Sequence, residues 1–138
     1  IADLDDEKLQ PLPISDIIRI IEENLPYRSF NYIFTHGENG EYGHLRHREV
    51  HKAVNFMIKS GKLFCDELHF FSYKLGDKST LGIPNLKLAI PKDSDLNINL
   101  NYHEHKDKLK IIQDIYGFQK NSFESLCCHN KESFVRIV

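Results

Sequence analysis

Cysteine is scarce in this chain: Cys65, Cys127 and Cys128 are the only three among 138 residues. An odd number with two neighbours is a poor disulfide scaffold, so the residues point to a reducing compartment and to thiols used as buried apolar filler. The adjacent pair also lacks the usual CxxC spacing of a zinc site. Neither sign of charge dominates, with 18 Lys and Arg against 20 Asp and Glu and a formal net charge of -2. That balance argues against a nucleic-acid partner. No apolar run reaches membrane-spanning length and no signal-peptide pattern is seen, so a cytoplasmic protein is expected. Internal repeats and low-complexity tracts are missing as well. What is there suits residues 1–138 as a single domain or part of one. Apolar residues make up 41%, and a chain of this length buries roughly two-thirds of its unfolded surface. The first residue is Ile1 rather than Met, as in a processed or truncated chain.

The opening IADLDDEKLQPLP reads as an irregular acidic lead-in. ISDIIRIIEENL places Ile14, Ile17, Ile18, Ile21 and Leu25 at helical spacing, with Ser15 or Asp16 as cap and Pro26 as terminator. FNYIFT, residues 30–35, is aromatic and β-branched and predicts a strand. From Leu45 to Gly61 the apolar residues Val50, Val54, Phe56, Met57 and Ile58 predict a helix closed by Gly61. LHFFSYKL, residues 68–75, reads as a second strand, residues 78–85 as a turn-rich excursion, and LKLAIP, residues 86–91, as a third strand. The segment from Asp95 to Phe118 then shifts to helical spacing, with Leu109, Ile112, Ile115 and Tyr116 on one face and Gly117 at its end. A short helix and an extended piece close the chain. Helix, strand, helix, strand is the order of an α/β domain with a parallel sheet, although two or three strands are few for a complete doubly wound sheet.

One stretch carries candidate chemistry. THGENGEYGHLRHREVH, residues 35–51, holds four of the eight histidines and begins at a strand's carboxyl end, where open α/β sheets place ligands. His44 and His47 lie three apart and share a face if both sit at a helix start; His51 extends that face. Imidazoles there suit zinc ligation, proton transfer or stabilisation of developing negative charge. Gly37, Gly40 and Gly43 allow tight turns and close approach. Composition alone leaves a plain polar connection equally open. On that reading His36 satisfies backbone carbonyls, His51 is a surface or half-buried helix residue, and Glu41 is either a solvated acid or a group that orients an imidazole.

THGENGEYGHLRHREVHKAV resembles a block of the PIG-L/LmbE-like N-acetylglucosaminyl deacetylases, whose members show TH followed by GEYGHxDH and a helix. The matching residues are Thr35, His36, Gly40, Glu41, Tyr42, Gly43, His44 and His47. KDKLKIIQDIYGFQ is similar to a late family helix, through Lys106, Tyr116 and Gln119. The resemblance covers most of this chain but only the later part of a family domain. It implies a partial Rossmann-like three-layer α/β fold with a mostly parallel sheet. It also implies metal-dependent hydrolysis of an N-acetyl group on a glucosamine-containing substrate, with zinc as cofactor. His47 would be the metal ligand, His44 the catalytic group that meets the oxyanion or assists proton transfer, and His36 and Glu41 pocket or supporting groups. The acid between the family's two histidines is Arg46 here. The family's early AHPDDE motif is absent as such, and ADLDDE, residues 2–7, is a poor substitute with no strand before it. The base and remaining ligands would come from a missing N-terminal segment, a partner chain or another copy in a homo-oligomer. The alternative is a non-enzymatic accessory or interaction protein that retains the later half of the fold.

Overall fold

The computed structural model describes residues 10–79 and 87–138, which form two compact units. One takes the described residues up to Phe71 together with Arg136–Val138; the other is Ser72–Val135. The ADLDDE segment and most of the turn-rich excursion lie outside the described residues.

The first unit opens with helix α1, Ile14–Asn24. Its spacing buries Ile17 and Ile18 on one stripe and leaves Ile14 exposed. Pro13, not Ser15 or Asp16, is the N-cap residue, and Asp16 falls inside the first turn where a carboxylate suits the helix dipole. Beyond the C-cap Leu25, the Arg28 guanidinium donates to the carbonyls of Leu25 and Glu22 at 3.0 and 2.8 Å, satisfying acceptors that the helix end leaves over.

Strand β1, Ser29–Thr35, then runs parallel to β2, Phe64–Phe71, in register from Ser29 opposite Phe64 to Thr35 opposite Phe70. Parallel neighbours need a crossover. The single turn α2, Gly40–Gly43, and the helix α3, Leu45–Lys59, supply it. Helix α3 sends Ala53, Val54 and Met57 into a core with Ile17, Ile18, Leu63, Leu68 and Phe70. Phe56, expected on that face, is exposed. Gly61 ends the helix as expected: its φ is 70°, and Lys62 N–H donates to Met57 O at 2.9 Å.

The second unit holds two antiparallel pairs. Strand β3, Tyr73–Ser79, pairs with β4, Lys87–Pro91; β5, Leu96–Asn99, pairs with β6, Lys131–Arg136. The run expected as one strand over 68–75 is divided at Ser72, whose N–H donates to Ser133 O and whose C=O accepts from Lys92 N–H. Strand β5 falls where helical spacing was expected, and helix α4 begins only at Tyr102. Asn101 and Glu104 form a reciprocal capping box at that start. The helix runs through Lys110 and widens into a π turn over Ile111–Ile115, where Tyr116 N–H donates to Ile111 O at 3.1 Å. That wider turn shifts the phase of the apolar stripe: Leu109 and Ile112 stay half-buried, but Ile115 and Tyr116 are exposed. A short helix α5, Phe123–Leu126, is capped by Ser122 and leads to β6.

The chain is therefore mixed α/β, with one parallel pairing and two antiparallel pairings among those described. Among the described residues, no helix is long and apolar enough to cross a membrane. All three cysteines are free thiols, and burial pushes each of them above the ordinary thiol range.

Candidate metal centre

Four features of the loop after β1 fix its shape. Gly37 is buried, and a Cβ there would lie 2.5 Å from the Phe71 carbonyl oxygen. Gly40 has a φ of 63° and no room for a side chain against Arg48. Asn39 Oδ1 accepts from Glu41 N–H at 3.1 Å. Glu41 itself has φ 59° and ψ -58°, the rare γ-turn conformation, and is the one non-glycine residue with positive φ among those described. A conformation of this kind costs about 1–3 kcal/mol and persists where surrounding contacts impose it.

Those contacts converge on the Glu41 carboxylate, which is buried. Oε1 accepts from Gly37 N–H at 2.8 Å. Oε2 lies 2.9 Å from His36 Nδ1 and 2.6 Å from His47 Nδ1. Burial alone would raise the carboxyl pKa. The hydrogen bonds from His36, His47 and the Gly37 amide, with the charge of His36, outweigh it and hold the group at about 2. The His36 and His47 rings stack with centroids 3.8 Å apart and planes 11° from parallel. His44 borders the stack with its ring 4.4 Å from that of His47, and Tyr42 lies 5.5 Å from both.

The sequence-predicted residues are thus brought together unevenly. His47, expected as metal ligand, joins His36 and Glu41, expected only as supporting groups, in a set whose donor atoms all lie within 4.8 Å of one another. His44, expected as the catalytic group, is beside that set rather than in it. Two imidazoles and one carboxylate match a known three-ligand zinc donor set. The fit has one condition. Nearly parallel rings direct their in-plane lone pairs side by side, so contact of both Nδ1 atoms with one ion requires the stack to open.

Two further residues of the stretch are buried. Arg46 pairs with the Glu49 carboxylate and donates to Gln10 O at 3.1 Å. Glu49 in turn accepts from Leu12 N–H at 2.9 Å. The arginine charge is thereby matched by its own carboxylate. His51 is not a surface group. It is buried, its ring meets Phe70 edge-on, and its Nδ1–H donates to the His36 carbonyl at 2.9 Å. Its Nε2 faces Asn55 Nδ2 at 3.4 Å. Asn39 and Asn55 carry no chemical signature in the sequence beyond their spacing, two residues before Glu41 and four after His51. Lys106, Tyr116 and Gln119 belong to the other unit and are exposed.

The chain matches no family model, no curated protein and no solved structure.

Proposed function

We propose that this chain is the later portion of a PIG-L/LmbE-like, Rossmann-like domain that acts in the cytoplasm. Its chemistry is metal-dependent hydrolysis of an N-acetyl group on a glucosamine-containing substrate. The observation that carries the reading is the bridging of His36 and His47 by one buried carboxylate, with His44 alongside, at the carboxyl end of a strand in a parallel β–α–β unit. Ligands favour that end of such units.

In this reading His47 holds the ion, zinc by its donor chemistry, and Glu41 and His36 hold His47 in place. A bound divalent ion supplies polarisation of the acetamide carbonyl and a lowered pKa for water. His44, beside His47, would hold or deliver a proton near the oxygen that gains charge. The general base and further ligands come from a preceding segment, a partner chain or a second copy. Zinc content and deacetylation of N-acetylglucosamine derivatives, measured for the full-length protein beside His47→Ala, test the proposal. Loss of both by at least about 100-fold is expected, in line with removal of a ligand. Unchanged zinc and unchanged turnover would overturn the role of His47.

A second reading is favoured by one observation. The Glu41 carboxylate has three donors without any ligand, as a purely structural polar cluster would. A non-enzymatic accessory protein with this cluster would bind no stoichiometric zinc and release no acetate.

A further inference from the structure

The two nitrogens of each loop imidazole have different surroundings. His36 and His47 both turn Nδ1 toward the same oxygen, Glu41 Oε2. A carboxylate accepts hydrogen bonds and gives none. Either ring with a lone pair at Nδ1 would set that lone pair against the oxygen, a repulsive contact at 2.6–2.9 Å. Each Nδ1 must therefore carry its hydrogen, and in the neutral ring the lone pair is left on Nε2.

We propose that Glu41 is the positioning residue of the site: one carboxylate fixes the Nδ1–H tautomer of both His36 and His47 and leaves the Nε2 lone pair of His47 for a divalent transition-metal ion, which that of His36 can join only when the stack opens. This deepens the hydrolase reading, on which the choice of ion rests. The carboxylate does so from outside the coordination shell, as carboxylates behind zinc-bound histidines commonly do. It also does so for two rings at once, which explains the near-parallel stack: both rings are drawn side by side to one oxygen. The same arrangement accounts for Arg46. An arginine cannot accept an imidazole hydrogen, and here it is not required to, since it is occupied with Glu49 while Glu41 serves His47. Three donors converge on the Glu41 carboxylate, a setting that favours its ionised form.

The backbone supplies a control within the fold. His51 also donates from Nδ1, but to the carbonyl of His36. Its tautomer is set by an acceptor that no change at Glu41 removes.

Long-range proton–nitrogen NMR correlations of the full-length, metal-free protein, recorded above the imidazole titration range, read each tautomer directly. Nδ1–H is expected for His36, His47 and His51. Glu41→Gly removes the carboxylate and suits the positive φ at that position; His36 or His47 should then change to Nε2–H or a mixture, with His51 unchanged. Nε2–H at His36 or His47 in the unaltered protein would overturn the proposal, whatever the variant does. So would retention of Nδ1–H by both rings in Glu41→Gly. Nδ1–H tautomers without any zinc uptake would sink the hydrolase reading and the ion-binding half of this proposal, and leave only the tautomer assignment to Glu41.

Discussion

Two pairs of histidines, one pair in each unit, do opposite work. In the second unit, His105 and His129 donate from Nε2 to the carbonyls of Cys128 and Ala89 at 2.8 and 2.7 Å. The tip of each ring is consumed in holding main chain. In the first unit, His36 and His47 anchor through Nδ1, the nitrogen nearer the backbone, and keep the tip for something else. The lesson is that a count of histidines says little about chemistry. What matters is which nitrogen the fold has already committed. The polar clusters differ in the same way. Glu132 in the second unit is bonded by Lys108 and Tyr73, a cation and a phenol, whereas Glu41 gathers two imidazoles and an amide.

The contrast is open to attack where the first unit invests most. Arg46→Ala leaves Glu49 buried without its cation, and such a loss costs about 3–5 kcal/mol. Urea denaturation should show a destabilisation of that size. A change below about 1 kcal/mol would mean that the pair under the loop is not the support assigned to it. Acid comes next. Glu41 is held at about 2 against an ordinary 4.5, and its side chain is only 9% exposed. Its contribution, roughly 3 kcal/mol by linkage, is full above the ordinary value and drains away as pH falls from there toward 2. Unfolding curves between pH 6 and pH 2.5 should therefore weaken steeply in the unaltered protein and less so in Glu41→Gly. The smallest effect is expected in the second unit. His129→Ala removes one hydrogen bond to a carbonyl, worth about 1 kcal/mol, and should leave zinc uptake as it was. A His129→Ala protein that lost zinc would erase the distinction between the two sets of histidines.

Much of the first unit was legible. Isoleucine spacing located α1, the aromatic and β-branched run located β1, and Gly61 marked the end of α3, because each of these is a local preference that packing then reinforced. The second unit was harder. LNIN alternates, but asparagine is a poor strand former, so β5 disappeared into the helix that follows it. A π turn leaves no compositional mark, and the phase shift at Ile115 and Tyr116 could not be foreseen. In the site, His47 was legible from its spacing and the glycines from their density. The conformation of Glu41 was not, since nothing in GEYG distinguishes a glutamate forced to positive φ from one in an ordinary turn. Glu49 is only three positions from Arg46, but the carbonyls of Gln10 and His36 that Arg46 and His51 bind lie 36 and 15 positions away, beyond the reach of any local pattern.

The tether from His51 to the His36 carbonyl has a mechanical consequence. With that carbonyl held from helix α3 and the Gly37 amide held by Glu41, the main chain at the strand's tip is fastened on both sides of one peptide. Access to the stacked rings then depends on swivelling of imidazoles about their own bonds and not on a lifting flap. Such swivels are among the quicker motions a protein makes, so the rings can turn while the strand's tip stays where it is.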